Sequence, residues 1–158
     1  MEIKHKRKQI RLKHYDYAQY GCYFVTICTK DRKHIFGEIE NYEMKLNPFG
    51  LITKDTLLSL LETYIQSEIP YFVIMPNHLH FIWFNKNDIS LMKIVRLFKG
   101  RTTALYRQYL KQHYLEPESL WQRSFYEHII RDDKDYLRIV EYIENNPLQW
   151  DLDRFNQA

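Results

Sequence analysis

Residues 71–84 read Tyr-Phe-Val-Ile-Met-Pro-Asn-His-Leu-His-Phe-Ile-Trp-Phe. A proline inside a run of β-branched and aromatic residues denies a helix its backbone hydrogen bond, so the run predicts two apolar strands joined at Pro76-Asn77. Alternate residues of a strand share a face. His78 and His80 therefore point one way, while Leu79 and Phe81 point the other. Two imidazoles one pleat apart on a rigid face suit a pair of metal ligands. A His-x-His pair alone is a weak signal, and the rest of the chain has to decide what it means.

A chain of 158 residues with 45% hydrophobic and 27% charged residues suits one soluble domain with a core of its own. Only 4 Gly and 5 Pro argue against disorder and against a turn-rich sandwich. Aromatic residues reach 16%; Trp83, Trp121 and Phe125 are expected in the core rather than as platforms for bases. The net charge is +3, but Lys4, Lys6, Arg7, Lys8, Arg11 and Lys13 face only Glu2 within residues 1–14. That concentrates the basic character in an N-terminal arm suited to a polyanion, or simply to solvent. Cys22 and Cys28 lie on one face of one expected strand, too far apart to bridge, as free thiols in a reducing compartment would. No apolar segment marks a signal peptide or a membrane span, so a cytoplasmic protein is expected.

In chain order, residues 21–29 are β-branched and aromatic on both faces, as a central strand would be. Residues 35–39 and 42–46 suggest a small hairpin. Asn47-Pro48 opens a helix with Asn as its N-cap, whose core face is read as Leu57, Leu58, Leu61, Tyr64 and Ile65. Asn87 or Asp88 caps a second helix with a stripe of Leu91, Ile94, Val95, Phe98, Thr102, Leu105 and Tyr109. Gly100 weakens its middle. Residues 120–130 read as extended. Asp132 or Asp133 starts a third helix, with Tyr136, Ile139, Val140 and Ile143 facing inward. Pro147 stops it and biases Asn146 away from helical geometry. This order predicts an α+β, ferredoxin-like sandwich whose antiparallel sheet carries the His-x-His strand, with a C-terminal helix added. The expected division is a basic arm over 1–14, a single domain over 15–150 and a short tail over 151–158.

Tyr142 and Asn146 are one helical turn apart. Asn146 can supply an amide oxygen beside the two imidazoles, leaving open positions as a catalytic metal requires. A mixed nitrogen and oxygen set suits magnesium or manganese as well as zinc. Tyr142 would then be one turn from a metal-polarised phosphodiester. The simpler alternatives are a tyrosine that packs a helix edge and an asparagine that ends the helix. His128 is read as structural. His5, His14, His34 and His113 have no evident partners.

Asp16-Tyr17 with Gly21-Cys-Tyr-Phe-Val-Thr-Ile27, Met75-Pro-Asn-His-Leu-His80, Trp121-Gln-Arg-Ser-Phe-Tyr-Glu-His-Ile-Ile-Arg131 and Tyr142-Ile-Glu-Asn-Asn-Pro147 occur in one order. In this the chain resembles the REP-associated tyrosine transposases, relatives of the single-tyrosine insertion-sequence transposases in the HUH nuclease superfamily. The resemblance spans residues 11–150. It implies that His78 and His80 are the two histidines of the HUH motif, Asn146 the third metal ligand and Tyr142 the catalytic tyrosine. The implied activity is metal-dependent cleavage and rejoining of single-stranded DNA near hairpins, through a covalent 5′-phosphotyrosine. The implied cofactor is magnesium or manganese, and the implied partner is single-stranded DNA with a hairpin, bound by a monomer or a homodimer and not at a membrane. Members with a longer C-terminal tail differ from this chain, where residues 148–158 follow Pro147. Lys8, Arg11, Lys99, Arg101, Arg123 and Arg131 are candidate DNA contacts. Two other readings stay open: a nucleic-acid-binding module without catalysis, and a small metallo-hydrolase in which the histidines activate water.

Overall fold

The computed structural model describes residues 21–156. Its elements are β1 (Cys22–Cys28), a hairpin of β2 (Gly37–Glu40) and β3 (Glu43–Leu46), α1 (Pro48–Thr63), β4 (Phe72–Met75), β5 (His78–Phe84), α2 (Leu91–Gln112), β6 (Tyr126–Ile129) and α3 (Asp133–Asn145). Single 3-10 turns follow β1 at Lys30–Arg32 and α3 at Trp150–Leu152.

The main sheet runs β4-β5-β1-β6, and every adjacent pair is antiparallel. Two strand–helix–strand units therefore interleave, each leaving a gap that a strand of the other fills. This is the ferredoxin-like arrangement that the element order predicts. The β2–β3 hairpin stands apart and turns on Asn41 and Tyr42, both with positive φ, the two-residue turn whose twist matches its strands.

β1 and β5 form the centre of the sheet, and every residue of β5 is buried. Val25, Ile27, Leu79, Phe81 and Trp83 pack against α1 and α2 on one face. Cys22, Phe24, Ile82 and Phe84 pack on the opposite face against Tyr136, Ile139, Val140 and Ile143 of α3. The sheet is thus covered on both sides, so even the polar residues of its central strands, Thr26, His78 and His80, are buried. The α3 stripe is the one read from the sequence. Because side chains alternate, His78 and His80 share the α3 face with Ile82 and Phe84.

Each helix begins on a side-chain cap: Asn47 Oδ1 accepts from Gly50 N at 2.8 Å, Ser90 Oγ from Lys93 N at 3.4 Å and Asp132 Oδ1 from Asp135 N at 2.8 Å. The cap of α2 is therefore Ser90, not Asn87 or Asp88. Two further expectations are corrected. The core face of α1 is Phe49, Thr53, Thr56, Leu57 and Leu60; Leu58, Leu61 and Tyr64 are half-buried and Ile65 is 79% exposed, because the chain leaves the helix at Tyr64. In α2 the deep positions after Thr102 are Tyr106 and Leu110, with Leu105 and Tyr109 at the margin. Of residues 120–130, read as extended, Tyr126–Ile129 forms β6 along β1 and Trp121 makes an isolated antiparallel bridge to Thr29. Lys99 Nζ takes the carbonyls of Gln122 and Ser124 at 2.9 and 3.0 Å, and a carbonyl bound to an ammonium is not offered to a strand.

Among the described residues, no helix is long and apolar enough to cross a membrane.

Candidate active site

The antiparallel register sets Thr26 opposite His80 and Cys28 opposite His78. The two imidazoles lie 4.7 Å apart between centroids, and both are buried. Above them runs α3. Tyr142, 39% exposed, lies at the edge of its buried stripe, with its ring 5.2 Å from that of His80 and 6.0 Å from that of Phe24. Asn146 is buried one turn on. Its φ of −58° and ψ of −47° remain helical despite Pro147, so the expected loss of helical geometry there does not occur. The helix carries Tyr142 and Asn146 over the sheet because Ile139, Val140 and Ile143 pack onto Phe24, Ile82 and Phe84.

Each imidazole is held by its Nδ1: His80 bonds Thr26 Oγ1 at 2.7 Å, and His78 bonds Asn77 Oδ1 at 2.8 Å. The opposite nitrogens, His78 Nε2 and His80 Nε2, are buried without a hydrogen-bond partner, and so is Asn146 Oδ1. A buried polar atom without a partner costs about 1–3 kcal/mol; Trp83 Nε1 and Asn85 Oδ1 are in the same state elsewhere, but these three atoms are gathered where α3 crosses the histidine face. Two imidazole nitrogens and one neutral oxygen form a donor set that fits a divalent cation with open positions. Among the described residues no group of three or more His, Cys, Asp and Glu is arranged to hold a metal.

Electrostatics keep both rings neutral. Burial pushes the His78 pKa down to about 3, the positive Arg154 acts the same way, and the Asn146 amide opposes them. The His80 pKa is likewise held well below the ordinary imidazole value, by burial first and then by His78 and Arg154. Neutral imidazole is the form that binds metal. Burial raises the Tyr142 pKa, and Asn146 again opposes it. The phenol therefore keeps its proton at neutral pH.

Residues 150–155 close the far side. Phe155 and Trp150 lie 4.4 and 6.1 Å from the His78 ring, and Asp153 Oδ2 is 4.0 Å from His78 Nε2. A cavity of about 560 Å³ remains open between this segment, α3 and the sheet, lined by Phe24, His80, Tyr142, Asn146, Arg138 and Arg154 among others.

Other sequence candidates lie elsewhere. Lys8 and Arg11, with the whole basic arm, fall outside the described residues. Lys99 is tied to the loop carbonyls, and Arg101 reaches Ser59 and Thr63 of α1. Lys99 and Arg123 line a wider groove of about 1150 Å³ between α2 and residues 115–125, together with Arg96, Arg107 and Lys111. Arg131 borders a shallow depression with Glu127 and Asp132. None of these four lines the cavity at Tyr142. His128 does line it, and its Nε2 is bound to Asp135 Oδ2 at 2.6 Å. Trp83 and Trp121 are core residues, and Phe125 packs against that core. Four polar neighbours of the site escape a reading of the sequence: Thr26, Asn77, Asp153 and Arg154. Strand alternation could have flagged Thr26 as sharing a face with Cys22 and Cys28; nothing local marks Asp153 or Arg154.

Three comparisons bear on this geometry. Residues 18–146 match the family described as "Transposase IS200 like". An uncharacterised protein of Haemophilus influenzae is 40% identical over 95% of this chain and 93% of its own length. A second protein of that organism, named as a candidate REP-associated tyrosine transposase, is 31% identical over 85% of this chain and 74% of its own. A solved REP-associated tyrosine transposase bound to a REP hairpin superposes with a TM-score of 0.63 at 23% identity, over 89% of this chain and 74% of that one.

Proposed function

The chain belongs to the IS200-like transposase family, and we propose that it is a metal-dependent endonuclease and strand transferase acting on single-stranded DNA beside hairpins. The observation that carries this reading is the meeting on one sheet face of Tyr142 with three buried, unpartnered donor atoms of His78, His80 and Asn146. Those three atoms would hold magnesium or manganese, which when bound polarises the scissile phosphodiester.

Tyr142 supplies the nucleophile. Its Oη attacks the phosphorus, an O–P ester forms to the 5′ phosphate, and the bond from phosphorus to the 3′ oxygen breaks. The phenol proton is lost as the attack proceeds, and the departing 3′ oxygen takes up a proton to become a hydroxyl. The ester preserves the bond energy, so an incoming 3′-hydroxyl reverses the step without ATP. Asn146 holds the Tyr142 pKa down against burial, which favours loss of that proton. The rings of Phe24 and His80 fix the phenol's approach. Arg138 and Arg154 border the same cavity and can meet phosphate oxygens.

The test is a denaturing gel of the protein incubated with hairpin-bearing single-stranded DNA and magnesium or manganese. A protein–DNA adduct is expected, and Tyr142→Phe abolishes it while binding persists. Cleavage that survives Tyr142→Phe would identify a metallo-hydrolase instead. Binding without cleavage by the unaltered protein would leave only a nucleic-acid-binding module.

A further inference from the structure

We infer that Asn77 is a positioning residue that fixes His78 in the tautomer with its proton on Nδ1 and a bare lone pair on Nε2. The inference deepens the metal-site reading above and draws its functional meaning from it.

Asn77 occupies the turn between β4 and β5 and is 1% exposed. Its amide Nδ2 donates to two backbone carbonyls, Phe155 O at 2.7 Å and Arg32 O at 3.2 Å. Carbonyls only accept. A flipped amide would set Oδ1 against both of them, so the orientation is forced. The amide oxygen must then face His78 Nδ1, at 2.8 Å. Oδ1 is itself only an acceptor. The Nδ1 must therefore bring the proton, and a neutral imidazole with its proton on Nδ1 has none on Nε2. The free lone pair is on the nitrogen that makes no hydrogen bond, with Asp153 Oδ2 4.0 Å away.

The backbone of the same residue is equally constrained. Its carbonyl accepts from Thr29 N at 2.9 Å and from Thr29 Oγ1 at 3.0 Å. His80 offers a contrast. Its Nδ1 meets Thr26 Oγ1 at 2.7 Å, and a hydroxyl can donate or accept. The neighbours of His80 thus permit either tautomer, whereas those of His78 permit one. Outer partners of this kind orient a ligand and raise its basicity.

The experiment is a long-range ¹H–¹⁵N correlation spectrum of the metal-free full chain with ring-labelled histidine, the His78 signals being assigned by their loss in His78→Gln. Expected is a pyrrole-like Nδ1 and a pyridine-like Nε2 at His78. Asn77→Ala, which keeps no acceptor, is expected to give a mixture of tautomers and to weaken Mn²⁺ binding by about 10–100-fold in calorimetry. Protonated Nε2 at His78 in the unaltered protein would overturn the inference, whatever the variants do. So would Asn77→Ala with unchanged tautomer and unchanged affinity. If the unaltered protein shows the expected tautomer but binds no Mn²⁺, the metal reading falls and the role of Asn77 stands.

Discussion

The phenol ring of Tyr142 stands 5.2 Å from the imidazole of His80, inclined at 63°, and both belong to the same chain. A proposed nucleophile and a proposed metal ligand thus meet without a second subunit. The contact exists because α3 lies across the β1–β5 centre of the sheet, where Ile139, Val140 and Ile143 are anchored.

A complementation assay reads this arrangement directly. Mixing Tyr142→Phe protein with His80→Ala protein is expected to leave adduct formation at the level of either alone, at least about 10³-fold below the unaltered protein. In any mixed assembly each chain would still lack one of the two groups. Recovery of an appreciable share of the activity would mean that one subunit lends its tyrosine to another.

Asn146 carries a buried Oδ1 without a partner beside the two bare imidazole nitrogens. Asn146→Ala should therefore weaken Mn²⁺ binding and adduct formation about 10–100-fold. Asn146→Asp keeps an oxygen at the site and is expected to retain binding. Calorimetry of the metal-free proteins with Mn²⁺ separates a donor from a mere helix end, since Ala and Asp would then behave alike.

Two glycines make opposite predictions for the same substitution. At Gly50, within α1, an added methyl would meet the carbonyl oxygen of Phe36 at 2.1 Å, so Gly50→Ala is expected to cost about 1–3 kcal/mol despite the better helix propensity of alanine. At Gly100, within α2, nothing lies within 4 Å of such a methyl. Gly100→Ala should stabilise by about 0.5–1 kcal/mol. Urea denaturation of the two variants checks both signs.

Cys22 is buried, and that burial raises its thiol pKa, with Asp135 adding to the effect. Little thiolate exists at pH 8, so Cys22 should resist a disulfide reagent in the native protein and react on unfolding. The linkage has a definite sign. Above the unfolded thiol pKa, near 9, the unfolded chain binds fewer protons than the native one, so this group makes stability fall as pH rises. Thermal melts of the unaltered protein and of Cys22→Ala from pH 8 to pH 10 should show the smaller pH slope in the variant.

The elements with strict local periodicity were legible before any coordinates. Alternation put His78 and His80 on one face, and a step of three or four put Tyr136, Ile139, Val140 and Ile143 on one side of α3. The same logic failed where a neighbour outweighed the pattern. Ile65 carries an apolar side chain at helical spacing, yet the chain has already left α1 and exposes it. Lys99 looked like a phosphate contact but spends its ammonium on the carbonyls of Gln122 and Ser124.

What the sequence alone determined is the antiparallel α+β order, the shared face of the two histidines and the one-turn relation of Tyr142 to Asn146, because each depends on residues a few positions apart. The tertiary structure decided the rest: that α3 covers the histidine face, that Asn77 is locked between Arg32 and Phe155, and that Asp153 and Arg154 come back to the site. Those relations join residues up to 122 positions apart, as in the Arg32–Arg154 hydrogen bond. They follow from strand register and from how both sheet faces are buried, which no local pattern encodes.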